Sequence, residues 1–149
     1  MRENIPYTNE DLKDHIAVGA VIKDSQGRIL MQKHNKYGFL TIPIGKATSK
    51  QSPEEALRQE LAEECGIKIQ EYKEIAERDY EYIRKGKKVK MRLYLYEIKS
   101  YSGVPINNEP EKHQFQEFKI LDEIKESPYL SDATLLFLET KGYRRPAKM

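Results

Sequence analysis

Glu60, Glu63 and Glu64 stand at i, i+3 and i+4. On a helix those offsets bring three carboxylates onto one face. Three like charges repel, so a solvated surface gains nothing from the arrangement, whereas a divalent cation reverses the sign of the energy. Hard cations such as Mg²⁺ favour carboxylate oxygens together with substrate phosphates. The trio therefore points to metal-assisted phosphate chemistry. The plainer alternative is a solvated acidic face, the commoner meaning of an isolated E-x-x-E-E.

The spacing predicts a helix that carries this trio. Ser52 and Glu55 have capping-box spacing, and Pro53 falls at the first helical position. Glu54 and Glu55 suit the positive end of the helix dipole. Gly66 stands where a left-handed residue ends a helix. Leu57, Leu61 and Cys65 form the stripe that faces a core. The glutamates lie beside it, about 110° round the helix. Arg58 projects to the far side from Glu60 and Glu63.

Around that helix the chain reads as strands. Residues 15–23 are rich in β-branched residues and read as a strand, Asp24-Ser25-Gln26-Gly27 is a turn signal, and 28–33 read as the returning strand of a hairpin. Residues 39–43 are extended, and 44–51 read as a loop into the helix. Residues 67–82 and 89–98 are strands broken near Arg84-Lys85-Gly86-Lys87, the second alternating strictly. A loop over 103–110 precedes a short strand at 115–121, a helical turn at 122–126 and a terminal helix at 131–141, capped by Ser131 or Asp132. Strands with helices between and after them imply a layered α/β (α+β) domain. The domain is expected over 15–141, with a leader at 1–14 and a basic tail at 142–149.

Composition narrows the field. A chain of 149 residues can bury one real core. Its 26 basic and 24 acidic residues leave a net charge of +2, so no large field points to nucleic acid or an anionic membrane. The basic residues Lys141, Arg144, Arg145 and Lys148 read as a solvated tail. The single cysteine rules out an internal disulfide, and a cytoplasmic, reducing compartment is expected. Cys65 reads as a small buried apolar residue rather than a nucleophile. No apolar run approaches the ~20 residues of a membrane span, and the polar N-terminus does not read as a signal peptide. His15, His34 and His113 lack zinc-like spacing.

The stretch from Gly45 to Ile67 resembles the Nudix box, in which Gly45, Glu60, Leu61, Glu63, Glu64, Gly66 and Ile67 match in register. Two positions depart: Gln51 stands where the box has its first Glu, and Gln59 where it has Arg. The resemblance extends to Pro43-Ile44-Gly45 and to Asn107-Asn108-Glu109-Pro110-Glu111-Lys112-His113, covering about residues 15–140. It implies a mixed sheet sandwiched between helices and a Mg²⁺- or Mn²⁺-dependent hydrolase of a pyrophosphate bond in a nucleoside di- or triphosphate-type substrate. By the same resemblance the metal ligands are Glu60, Glu63, Glu64 and the carbonyl of Gly45, and the general base is Glu109 or Glu111, with Glu60 able to orient the water. Tyr80, Tyr82, Tyr94 and Tyr96 are available for stacking, with Tyr82 and Tyr94 the chosen pair. Asn107 or Asn108, with Asn108 preferred, is expected to read a base edge, and Lys33, beside His34 and Lys36, to contact a phosphate; a structural role is the commoner alternative for each. The amide at Gln51 removes a charge that would favour a further metal. Gln59 offers one uncharged bond where a forked, charged contact would pin a ligand. Weakened or specialised activity is therefore expected, and a non-catalytic nucleotide-binding or sensor protein is the alternative. The expected partner is a small nucleotide or nucleoside diphosphate derivative. Oligomeric state is open, a homodimer included.

Overall fold

The computed structural model describes residues 5–143. After a 3₁₀ turn at Glu10–Leu12 the chain runs β1 (His15–Val21), β2 (Ile29–His34), β3 (Leu40–Thr41), β4 (Ile44–Ala47), α1 (Pro53–Cys65), β5 (Lys68–Arg84), β6 (Lys87–Ser102), β7 (His113–Lys119), α2 (Leu121–Glu126) and α3 (Asp132–Thr140). Residues 144–149 of the expected basic tail lie outside the described residues.

Alternation along β1 explains the layering. Ala17 and Val21 face one core, while Val18 and Ala20 face another. The first core takes Leu93 and Leu95 of β6 and is closed by Ile124, Leu136, Phe137 and Leu138 of α2 and α3. The second takes Tyr96 and Ile98 of β6 and is closed by Leu57, Leu61 and Cys65 of α1. A fully buried Leu contributes about 1.5–3 kcal/mol, so the stripe on α1 holds the acidic helix firmly on the sheet. The sheet is mixed. Its order is β4-β1-β6-β5, with β1 parallel to β6 and the other pairs antiparallel. A second sheet, β3-β2-β7, is antiparallel throughout.

Two expectations are corrected. β1 and β2 do not form a hairpin ladder. Asp24 makes the turn by accepting from Gln26 N and Arg28 N, both at 2.9 Å, and a single bridge joins Lys23 to Ile29. The strands then part into different sheets, because both edges of β1 are already taken by β4 and β6. The expected loop at 44–51 begins with β4, which pairs Ile44 with Gly19 and Gly45 with Val18. Within the segment expected to pack partly or fray as a leader, Ile5 and Asp11 are buried, and residues 1–4 lie outside the described residues.

The capping expectations for α1 match the structure. Ser52 and Glu55 exchange both capping-box bonds, and Gly66 ends the helix at φ 68°. β5 and β6 meet in a tight turn at Lys85 and Gly86, both with positive φ. Among the described residues no helix is long and apolar enough to cross a membrane.

Candidate active site

The C-terminal half of α1 delivers its acidic face to the floor of a cleft of about 700 Å³. Glu64 lies at 4% exposure and Glu60 is half-buried. The two are neighbours of unequal character. Burial, then the charge and hydrogen bond of Glu60, push Glu64 up to about 9. Glu60 is raised too, chiefly by burial, but its bond with Glu64 pulls the other way. The pair therefore retains a proton, as expected of two carboxyls that cannot both ionise. Oε1 of Glu64 is buried without a hydrogen-bond partner.

Gly45, brought beside α1 by β4, is required by close approach. A Cβ there would lie 2.2 Å from Cγ of Glu60. The loop before β7 closes the other side. Asn108 N donates to the Glu64 carbonyl at 3.0 Å, and Ile106 N to that of Cys65 at 3.0 Å, so the loop is tied to the C-terminus of α1. That tie brings Glu109 and Lys112 into the field of Glu60 and Glu64. Lys112 Nζ stands 3.4 Å from Glu109 Oε1. Glu111 lines the cleft.

Glu63 is placed differently from its neighbours. It is exposed, and its Oε1 accepts from Gln59 Nε2 at 2.8 Å. Gln59 Oε1 in turn accepts from Gln51 Nε2, and Gln51 Oε1 accepts from Thr48 N at 3.0 Å. The two glutamines that depart from the box are thus bonded to each other, and they form an uncharged relay that ends on Glu63. Arg58 takes no part: it donates to the Ile69 carbonyl at 3.2 Å and lies over Tyr72.

The other expected contacts divide. Tyr82 lines the cleft, donating to Asp132 Oδ2 at 2.6 Å. Tyr94 does not, because alternation on β6 turns it to the α1 core. Lys33 and Asn108 are likewise absent from the cleft wall, whereas His34 and Lys36 line it. His34 is held down to about 4, first by burial and then by His113, Lys36 and Lys112. Its ring leads into an aromatic wall in which Tyr37 stacks on Phe39 with centroids 5.2 Å apart. Tyr7, Asp11, Lys46 and Arg84 also line the cleft and were not foreseen. Arg84 had a signal: it lies two residues after Tyr82, hence on the same strand face. Nothing local marked Tyr7 or Asp11.

The donor set fits a hard cation. Its oxygens are carboxylates and a nearby backbone, and the unpartnered Oε1 of Glu64 is a buried acceptor awaiting a positive group. Among the described residues no three His, Cys, Asp or Glu side chains are already gathered to hold an ion. The pair must lose its proton first, and metal binding commonly releases one.

A family model described as the NUDIX domain matches residues 13–134. No curated protein matches the chain. Among solved structures, the MutT NUDIX hydrolase from Burkholderia pseudomallei is 28% identical, with a TM-score of 0.71, covering 86% of this chain and 98% of that one. The MutT protein from Bacillus halodurans is 22% identical, with a TM-score of 0.68, covering 83% and 80%. The NUDIX domain of NrtR from Shewanella oneidensis, solved with ADP ribose, is 15% identical, with a TM-score of 0.62, covering 92% and 93%. The last two likenesses speak to the fold alone.

Proposed function

The chain belongs to the Nudix family, and from that premise we propose that it hydrolyses a pyrophosphate bond in a nucleoside di- or triphosphate-type substrate with the help of Mg²⁺ or Mn²⁺. The observation that carries this reading is the pair of Glu64 and Glu60 with its retained proton, and an unpartnered oxygen of Glu64 at the floor of a cleft. Two buried carboxylates repel once both are ionised, and a cation would relieve that repulsion.

In this reading Glu60, Glu63, Glu64 and the Gly45 carbonyl would hold the ion, with Glu63 steadied by its bond from Gln59. A bound divalent ion would neutralise phosphate oxygens and acidify a water. Gly45 leaves room for the Glu60 side chain to lie against β4. Water attacks a phosphorus, and the bond to the bridging oxygen breaks as the new P–O bond forms. Glu111, which lines the cleft, takes the proton from that water, a role worth about 10²–10⁴-fold. Glu109 stands one layer behind, next to Lys112, and sustains the field at Glu60 and Glu64. Tyr37 and Phe39 offer a stacked face to a base. The ADP ribose held by the similarly folded Shewanella domain is a ligand of the same chemical class. A reducing cytoplasm suits the lone, buried Cys65.

The second reading, a nucleotide binder without turnover, draws on the uncharged Gln51–Gln59–Glu63 relay. Glu64→Gln separates the two. It removes metal-dependent phosphate release if the chain is a hydrolase; if it is a binder, wild type and variant alike release none, and only metal-assisted nucleotide binding weakens.

A further inference from the structure

Asn35, in the turn between β2 and β3, is exposed, yet it holds three successive carbonyls of the loop before β7. Its N–H donates to the Lys112 carbonyl at 2.8 Å. Its Nδ2 donates to the Glu111 carbonyl at 3.0 Å and to that of Pro110 at 3.4 Å. An amide NH₂ has two hydrogens, one for each. The register explains the meeting. β2 and β7 pair from Ile29 and Lys119 to Lys33 and Phe115, then shift at an irregularity so that His34 faces His113. Asn35 continues the pairing one residue further, opposite Lys112. The loop is there a closed turn: Lys112 N and His113 N both donate to the Glu109 carbonyl, at 2.9 and 3.1 Å. The last carbonyls of such a turn have no partner within it, and Asn35 caps them. Asn107 staples the loop from inside, its Nδ2 donating to the His113 carbonyl at 2.9 Å and its Oδ1 accepting from Glu109 N at 3.3 Å. Glu111 and Lys112 line the cleft, as do His34 and Lys36 on either side of Asn35, whereas Asn35 itself does not.

We propose that Asn35 is a positioning residue: it fixes the backbone of the turn at residues 109–112 and so sets where the Glu111 carboxylate enters the cleft. The bonds from Ile106 N and Asn108 N to the end of α1 secure the first half of the loop. Asn35 secures the half that bears Glu111. It lines no part of the cleft and acts through the Glu111 backbone, whose carbonyl it holds. Misplacing a reacting group by about 1 Å can cost about 10²-fold in rate. The inference rests on reading Glu111 as the base, while the hold of Asn35 on the turn can be measured without any turnover.

The test has two parts, both on the whole chain. Hydrogen exchange in chelator compares wild type with Asn35→Ala and Asn35→Asp. The aspartate keeps the shape and the turn preference but sets an acceptor against two carbonyls. Exchange of the loop amides of Asn108, Glu109, Lys112 and His113 quickens about three- to tenfold in Asn35→Ala and at least as much in Asn35→Asp, while the amides of α1 keep their rates. The second part follows phosphate and pyrophosphate release from a panel of nucleoside triphosphates with Mn²⁺. In both variants kcat falls about tenfold or more and KM stays within about threefold. Asn35→Ala added to Glu111→Gln costs nothing beyond Glu111→Gln alone, since the two act as one unit. Loop exchange equal to wild type, quickening spread evenly over the chain, an unchanged kcat, or losses that multiply in the double variant each overturn the proposal. If wild type releases nothing, the hydrolase reading fails and loop exchange alone decides whether Asn35 fixes the turn.

Discussion

At the scale of single residues the site is governed by one proton. Glu64 is held up to about 9 by burial and by Glu60, against an ordinary value of 4.5. The folded chain therefore keeps a proton that the unfolded chain releases, so stability is fully present below about pH 4.5 and is lost as pH rises towards 9. In chelator the protein melts at a lower temperature at about pH 8.5 than at about pH 6, with a slope of at most about 1.4 kcal/mol per pH unit. Glu64→Gln, which cannot ionise, flattens that slope in a calorimetric pH series; an unchanged slope would place the proton elsewhere. Divalent metal has the opposite pH dependence, since it competes with the proton, so Mn²⁺ affinity rises from about pH 6 to about pH 8. The Gln51–Gln59 pair that leads to Glu63 is uncharged, and the bond between the two amides is worth about 0.5–1.5 kcal/mol. Gln51→Glu combined with Gln59→Arg replaces it by a charged pair, which should tighten Mn²⁺ binding about three- to tenfold by titration. The i, i+3, i+4 offsets of the three glutamates could not distinguish the buried Glu64 from the exposed Glu63. That difference is set by the loop docked at the end of α1.

At the scale of elements, α1 was the most legible because its signals are local: cap, proline, periodic apolar stripe and terminal glycine all lie within the helix or next to it. Ser52→Ala should cost about 1 kcal/mol by removing one capping-box bond, read as a lower denaturation midpoint with an unchanged m-value. β4 was not legible. Residues 44–47 have no strong strand pattern, and they pair only because β1 offers a free edge. Its contribution to the site is Gly45. Gly45→Ala must push Glu60 aside, since the added carbon would lie 2.2 Å from Glu60 Cγ. The expected result is a loss of about 1–3 kcal/mol in stability together with weaker Mn²⁺ binding. A variant that binds Mn²⁺ as tightly as wild type would remove Gly45 and Glu60 from the metal site. The partition of β1 and β2 into different sheets escaped the sequence for the same reason as β4: turn chemistry at Asp24 is local, whereas strand partners are chosen by the whole sheet.

At the scale of the whole molecule, the cleft is built by segments far apart in the chain. Acid comes from α1, aromatic rings from the stretch after β2, and cations from the turn after β2, β4 and β5; the segment before β1 holds them together. Periodicity cannot reveal such a convergence, which is why Asp11 read as part of a leader. The cleft thus brings carboxyl groups, cations and aromatic rings together, the groups that a metal-bound phosphate ligand would use. The most direct test of that account is phosphate and pyrophosphate release from a panel of nucleoside triphosphates, dinucleoside polyphosphates and nucleotide sugars, with Mg²⁺ or Mn²⁺, for wild type beside Glu64→Gln. The account predicts metal-dependent release by wild type that falls at least about a hundredfold in the variant. Release that is independent of metal, or that persists in Glu64→Gln, would contradict it.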